Sequence, residues 1–102
     1  MPRPGYMLYL VSYDIPSTPE GDRRRAKVAR RMEAYGIRVQ WSVFECELSP
    51  ALVRKLRKEI GDVIDTGEDS VRFYPICATC VKDAVSLGRK DPCPRDEDCY
   101  VF

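Results

Sequence analysis

The chain has 102 residues, of which 44% are hydrophobic and 32% charged, and its formal net charge is +1. These values are typical of a single soluble globular domain and exclude a disordered chain. The longest apolar runs are far shorter than the roughly 20 residues of a membrane-spanning helix, and the first six residues lack the apolar centre of a signal peptide. We therefore expect a cytoplasmic protein that does not contact membranes.

The first strand and the loop after it are the clearest local features. Residues 7–13 form a run with both faces apolar, which predicts a central strand of a sheet. Asp14 ends this run, and two prolines and a glycine in the following loop stop the strand. A helix is predicted from about Asp22, a suitable N-cap, to Tyr35, and Gly36 ends it.

The predicted first helix separates apolar from cationic side chains. Its apolar arc consists of Val28, Ala29, Met32 and Tyr35, and its opposite arc of Arg23, Arg24, Lys27, Arg30 and Arg31. Arg25 is the exception, because it projects into the apolar arc at the sheet edge where Asp14 lies. A charge there needs a partner, and the candidates are the Asp14 carboxylate and a bound phosphate. The basic arc predicts contact with nucleic-acid phosphates, and a solvated helix face is the alternative.

The segment after this helix is strand-like but changes its alternation. Between residues 37 and 48 the apolar positions switch from odd to even numbers. A shift of one residue in the strand register would expose a whole apolar face, so the sequence predicts a bulge or a break near Ser42–Phe44. A break would divide the segment into two short strands.

The rest of the chain completes an α+β pattern. Ser49 and Pro50 predict the N-cap and first residue of a second helix, a turn follows over residues 62–69, and Ser70–Ile76 is the last clear strand. The order predicts a ferredoxin-like βαββαβ sandwich, with two helices on one face of an antiparallel sheet. We expect one domain over residues 1–102, with its core at about 7–77.

The segment beyond the core is predicted to be a polar connection and a C-terminal tail. The connection covers residues 77–90, and the chain closes on the apolar residues 100–102 after an acidic stretch. An apolar end after a polar linker is expected to add an extra strand to a sheet edge, either its own or that of a second subunit.

The cysteines and the absence of histidine restrict the possible chemistry. Without histidine, acid–base work falls to carboxylates, Tyr, Lys or metal-bound water. Five cysteines, an odd number, argue against a disulfide framework. Cys77, Cys80, Cys93 and Cys99 supply four thiolates, but the second pair is spaced too widely for the usual zinc knuckle. We therefore expect no structural zinc, and we expect the cysteines to be reduced thiols without a metal.

Asp14 is the candidate metal ligand. A carboxylate at a strand end, beside a cationic helix start, is the arrangement expected where phosphate and a divalent metal meet. One aspartate is a poor Mg²⁺ site, since this ion takes one or two carboxylates with waters and phosphate, but a two-fold axis would supply the second. The alternative is that Asp14 caps the turn before Ile15 and Pro16.

Three segments resemble one known family. They are Tyr13–Ile15 with the Arg-rich helix, Gly36–Cys46, and Arg72–Ile76. They are similar to the small CRISPR-associated ferredoxin-like nucleases, the second of the two core proteins of CRISPR adaptation, over about residues 7–77.

The resemblance implies a homodimer whose two Asp14 carboxylates face each other and bind Mg²⁺, with Mn²⁺ as a substitute. It implies cleavage of RNA or double-stranded DNA at Asp14, an antiviral role, and a CRISPR-associated integrase as partner. The implied nucleic-acid-binding residues are Tyr13, Arg24, Arg25, Lys27, Arg38 and Phe44. Two hypotheses follow, a metal-dependent endonuclease and a non-catalytic scaffold that holds DNA and bridges integrase dimers.

Overall fold

The computed structural model describes residues 3–88. Its elements in chain order are β1 (Met7–Asp14), α1 (Pro19–Glu33), β2 (Gly36–Gln40), β3 (Val43–Leu48), α2 (Pro50–Gly61), β4 (Ser70–Ile76) and the short α3 (Ala78–Lys82). The strands form one antiparallel sheet in the order β2-β3-β1-β4. This is the predicted ferredoxin-like arrangement, and β1 is central as expected. The predicted C-terminal strand lies outside the described residues.

The two long helices cover one face of the sheet, which we call the covered face. Val11 of β1 lies opposite Phe44 of β3, and both are fully buried against Met32 of α1 and Leu56 of α2. Because side chains alternate along a strand, the even-numbered residues of β1 lie on the other face, which we call the open face. The two sides of β1 therefore differ in burial, and only the side that faces the helices carries buried residues.

The N-cap of the first helix lies four residues earlier than the sequence suggested. Thr18 is the N-cap, and its hydroxyl oxygen accepts a hydrogen bond from the Gly21 amide at 2.9 Å. Asp22, the predicted cap, lies inside the first turn instead. A side chain at Gly21 would collide with the Pro16 carbonyl oxygen, so glycine permits this close approach of helix and loop. The second helix has the predicted cap, Ser49, which accepts from the Leu52 amide.

The change of alternation is resolved by two strands and a bulge. β2 and β3 are separate strands joined by a turn at Trp41 and Ser42. The register shift lies between Arg38 and Gln40 in the edge strand, rather than near Phe44. The break was therefore predicted correctly, and the extra residue sits earlier, where an edge strand accommodates it without disturbing the centre of the sheet.

The segment after β4 begins with the helix α3, which the sequence analysis treated as connection and which lies against β1. Within residues 3–88 the structure contains no helix that is long and apolar enough to cross a membrane.

Candidate functional site

Asp14 stands exposed at the end of the open face. It is the last residue of β1 and pairs with Ser70, the first residue of β4. Leu8, Leu10 and Ser12 precede it on the same face, because they alternate with the buried Val11 and Tyr13. The carboxylate therefore lies at the edge of a partly apolar surface that α1 and α2 do not cover.

A buried ion pair fixes the strand beside Asp14. Arg24 donates two hydrogen bonds to Asp69, from Nε to Oδ2 at 2.7 Å and from Nη2 to Oδ1 at 3.0 Å. The Asp69 side chain is fully buried and that of Arg24 is 20% exposed. The hydrogen bonds from Arg24, with one from the Asp65 amide, hold the pKa of Asp69 below its usual value although burial opposes this. Since Asp69 immediately precedes Ser70, Arg24 anchors the start of β4.

Arg25 holds the loop that follows Asp14. Its Nη2 donates to the carbonyl oxygens of Ile15, at 2.6 Å, and Pro16, at 3.0 Å. Its Nη1 donates to Asp22 at 2.7 Å. The expectation that the Asp14 carboxylate or a phosphate satisfies this charge is thus corrected, because loop carbonyls and Asp22 do so. Lys27, the third cation of the predicted set, is exposed.

The other three predicted residues form one cluster on the covered face, at the turn between β2 and β3. The rings of Tyr13 and Phe44 are stacked, with centroids 6.3 Å apart, and both side chains are buried. The Arg38 guanidinium carbon lies 5.3 Å from the Phe44 ring centroid and 5.9 Å from that of Trp41. These distances allow cation–π attraction. One core ring, Phe44, and one exposed ring, Trp41, thus lie beside this cation at the sheet edge.

The hydrogen bonds of this cluster are incomplete. The Tyr13 hydroxyl donates to the Trp41 carbonyl at 3.4 Å, and burial raises the pKa of Tyr13 while Arg38 and Arg25 oppose the shift. Tyr13 therefore remains protonated at neutral pH. Arg38 Nε is buried and has no hydrogen-bond partner among the described residues.

The structure thus divides the predicted residues between the two faces of the sheet. Asp14 is on the open face, whereas Tyr13, Arg38 and Phe44 are on the covered face, although Tyr13 and Asp14 are neighbours in sequence. Arg24 and Arg25 belong to neither group, and their hydrogen bonds hold the backbone around Asp14.

Two residues near these groups were missed by the sequence analysis, Asp69 and Glu45. Only the position of Asp69 next to a predicted strand and its complementarity to an Arg-rich helix pointed to its role. Glu45 lies opposite Leu10 on the open face. Burial raises the pKa of Glu45, and its Oε2 is buried without a partner within residues 3–88.

One chain offers few ligands for a metal ion. Within residues 3–88 no group of three or more His, Cys, Asp or Glu side chains is placed to hold one. Asp14 therefore supplies one carboxylate, which fits Mg²⁺ only in company with water, phosphate or a second chain.

Known proteins of similar sequence and structure were found. A family model described as CRISPR associated protein Cas2 matches residues 7–84. The CRISPR-associated endoribonuclease Cas2 1 of Chloroflexus aurantiacus is 40% identical over 94% of this chain and 100% of its own length. The CRISPR-associated endonuclease Cas2 2 of Thermus thermophilus is 46% identical over 71% of this chain and 76% of its own.

Among solved structures, the crystal structure of Streptococcus pyogenes Cas2 superposes with a TM-score of 0.75 at 38% identity, covering 80% of this chain and 100% of that one. A hypothetical protein from Thermus thermophilus, TT1823, gives a TM-score of 0.67 at 38% identity over 89% and 98% of the two chains. The family match covers both strands that flank Asp14, the cluster around Arg38 and the whole described sheet. This chain belongs to the Cas2 family of CRISPR-associated proteins.

Proposed function

We propose that two copies of this chain form a metal-dependent endonuclease of the CRISPR system, with the two Asp14 carboxylates at their interface. The observation that carries this proposal is the position of Asp14 at the end of the open face. The names of the relatives, endoribonuclease and endonuclease, support the same reaction class.

The open face has the composition of a surface that a second copy covers. Leu8 lies opposite Ile76 and Leu10 opposite Tyr74, so that apolar side chains form two adjacent rows. Tyr74 is 45% exposed, and the buried Glu45 oxygen lies on the same face. A contiguous apolar patch rimmed by polar groups is typical of an interface between proteins. A two-fold axis near the end of β1 would bring the two Asp14 residues together.

Such a pair fits the ligand preference of Mg²⁺ or Mn²⁺, which the two carboxylates would share with water and with the phosphate of the substrate. The ion, when bound, supplies an activated water and stabilises the charge that develops on the phosphate during hydrolysis. Arg25 fixes the loop carbonyls next to Asp14, and Arg24 fixes the paired strand, so both hold the carboxylate in position. Arg72, beside Ser12 on the same face, is suitably placed to attract the phosphate.

Nucleic acid is proposed to bind through the cations that are exposed along α1. Arg24 and Arg25 are engaged in hydrogen bonds, whereas Arg23, Lys27, Arg30 and Arg31 are exposed along α1. Phosphate contacts of this type do not read sequence and weaken as salt rises. Lys27 and the exposed arginines are thus proposed to contact RNA or double-stranded DNA, and Arg38 to extend this surface at the sheet edge.

A nuclease assay of Asp14→Asn beside wild type tests the proposal. The substitution keeps the shape and removes the charge, so cleavage should fall by about a hundredfold or more, as expected when metal stabilisation worth several kcal/mol is lost. Both proteins are assayed on RNA and on double-stranded DNA with Mg²⁺, with Mn²⁺ and with a chelator. Asp62→Asn, which alters an exposed carboxylate at the end of α2, is the matched control. Full activity in Asp14→Asn would refute the catalytic role.

The second candidate is a non-catalytic scaffold of the adaptation complex that holds DNA and bridges integrase dimers. It is favoured by the exposure of the cationic side of α1, since holding DNA requires only that surface. Under this alternative wild type binds DNA with a strong salt dependence but does not cleave it, and Asp14→Asn binds equally well. Lys27→Glu then weakens DNA binding and the assembly with the integrase that depends on it.

A further inference from the structure

Two cysteines meet at the end of the sheet remote from Asp14. Cys77 directly follows β4, and Cys80 lies one helical turn later in α3. The last residue of β4, Ile76, pairs with Leu8 near the start of β1, whereas Asp14 pairs with Ser70. The two ends are six positions apart along the strand, which corresponds to roughly 20 Å. Neither the proposed metal site nor the cluster around Arg38 uses these thiols.

The two thiols are already in contact. The Cys77 and Cys80 sulfur atoms are 3.2 Å apart, and both residues are exposed. A disulfide bond is about 2.05 Å long, so closing it requires a movement of roughly 1 Å. Positions three apart on a helical turn are neighbours, which is why Cys-X-X-Cys at the start of a helix brings its sulfurs together.

The local hydrogen bonds make the two thiols unequal. The Cys80 amide and thiol, together with the Thr79 amide, donate toward the Cys77 sulfur and lower the pKa of Cys77. The pKa of Cys80 is raised, because its proton is held by Cys77 and a negative charge there repels a second one. Cys77 is thereby the nucleophile and Cys80 the residue that resolves a mixed disulfide.

We propose that Cys77 and Cys80 form a thiol–disulfide exchange site, which closes to an intramolecular disulfide on reaction with a low-molecular-weight disulfide such as glutathione disulfide. This proposal is independent of the nuclease function. It rests on the contact between two exposed thiols at a strand end.

The exchange proceeds in two balanced steps. The Cys77 thiolate attacks one sulfur of glutathione disulfide, so that a mixed disulfide forms and one glutathione leaves as thiolate. The Cys80 thiolate then attacks the Cys77 sulfur and displaces the second glutathione. The two protons of the protein thiols end on the two glutathione molecules, and two electrons pass from the protein pair to the small disulfide.

Closure would link the residue after β4 to the first turn of α3. Because α3 lies against β1, the bond fixes how the chain leaves the sheet at that end. Cys46 serves as an internal reference, since it is fully buried and burial raises its pKa to about 12. It should therefore not react while the protein is folded.

The test treats the reduced full-length chain with glutathione disulfide, blocks free thiols by alkylation, and maps the products by mass spectrometry. We expect the peptide with Cys77 and Cys80 to lose two hydrogens, about 2 Da, through an internal disulfide. Cys80→Ser should accumulate glutathione on Cys77, because the resolving thiol is missing. Cys77→Ser should form no disulfide at this site, and any glutathione that couples to Cys80 should persist, because no neighbouring thiol is left to displace it.

Two further variants separate this site from other chemistry. In the double variant Cys93→Ser/Cys99→Ser the 77–80 disulfide should form at an unchanged rate. Cys80→Ala removes the side-chain donor that Cys80→Ser keeps, so the pH midpoint for alkylation of Cys77 should be higher in Cys80→Ala than in Cys80→Ser. Circular dichroism checks that each variant is folded.

Several results would overturn the proposal. They are alkylation of both thiols after exposure to glutathione disulfide, a principal disulfide from Cys77 to Cys93 or Cys99, preferential trapping at Cys80, and stoichiometric Zn²⁺ in the purified chain that protects Cys77 from alkylation. The last result would identify the pair as metal ligands instead.

Discussion

The two faces of one sheet differ in what their residues contribute. On the covered face, Val11, Phe44 and Leu56 are fully buried within a single chain. On the open face, Leu10 is half-buried, Tyr74 is 45% exposed and Glu45 keeps a buried oxygen without a partner in the described part of the chain. The difference indicates that the covered face determines folding within one chain, whereas the open face is the surface that we propose a second copy covers. Asp14 lies on the open face.

The largest effect is expected from Phe44→Ala on the covered face. Removing a fully buried ring should lower the free energy of unfolding by about 3–5 kcal/mol, because transfer and cavity costs add. Urea unfolding, at a protein concentration below the dimer dissociation constant, measures this loss. Leu10→Ala, on the neighbouring strand but on the open face, is the control and should cost clearly less. Equal losses would contradict the distinction between the faces.

This experiment also bears on the predicted role of Phe44 in binding nucleic acid. Its ring is buried beneath the Arg38 guanidinium, so we expect it to act by supporting that cation. Phe44→Leu preserves most of the volume and removes the aromatic face, and it should weaken binding at low salt without a comparable loss of stability.

A second contrast concerns two carboxylates at one end of the sheet. Asp69→Asn removes the charge from a buried ion pair and should destabilise the fold, since it leaves Arg24 without its counter-charge. Asp14→Asn alters an exposed group and should leave thermal stability nearly unchanged while it abolishes any metal-dependent cleavage. Comparing the two unfolding curves separates a structural acid from a functional one.

The same ion pair predicts a dependence on pH. Because the pKa of Asp69 is lower when folded than its ordinary value of 3.8, the stabilisation is fully present above that value. It is lost as the pH falls through the lower folded pKa. Wild type should therefore lose more stability on acidification than Asp69→Asn does. Parallel losses would show that the carboxylate contributes no charge-dependent stability.

The assembly of the open face provides the third test. Leu10→Asp places a charge beside Glu45 in the proposed interface, so the dimer dissociation constant should rise at least about tenfold, or ~1.4 kcal/mol. Sedimentation at several concentrations measures the change. Ala26→Asp adds the same charge at an exposed position of α1 and should leave the constant unaltered. A wild-type monomer at micromolar concentration would refute the proposed dimer. The predicted tail strand, at residues 100–102, lies outside the described residues.

Much of this fold could be predicted from local patterns. The strand Ser70–Ile76 and the cap at Ser49 were predicted as they occur, because alternation and capping are local properties. The predicted start of α1 was wrong because Pro16 and Pro19 made this segment resemble a loop. In the structure Thr18 is the N-cap and Pro19 is the first residue of the helix. The carbonyl partners of Arg25 could not be predicted, since their direction depends on how the loop folds back, whereas its pair with Asp22 joins residues only three positions apart.

The candidate site was predictable only in part. A strand-end aspartate and a basic helix are visible in the sequence, but which arginines are free is decided by distant acids. Asp69 engages Arg24 across 45 positions of the chain, and no local pattern reports such a pairing. Lys27 is therefore a better test of phosphate binding than Arg24, whose loss would also release the start of β4.

The smallest expected effect concerns a hydrogen bond between the turn that follows α1 and the helix α2. The Tyr35 hydroxyl donates to Glu59 Oε2 at 2.7 Å, and Tyr35→Phe should lower the free energy of unfolding by about 1 kcal/mol at neutral pH. Burial and this bond raise the pKa of Tyr35 from 10.0 to about 12. The stabilisation is therefore fully present below pH 10 and lost as the pH rises through about 12. The free energies of unfolding of wild type and Tyr35→Phe should thus converge between these values, because the two proteins differ only in the Tyr35 hydroxyl. A constant difference up to pH 12 would mean that the hydroxyl proton contributes nothing, and that the variant is weakened by packing alone.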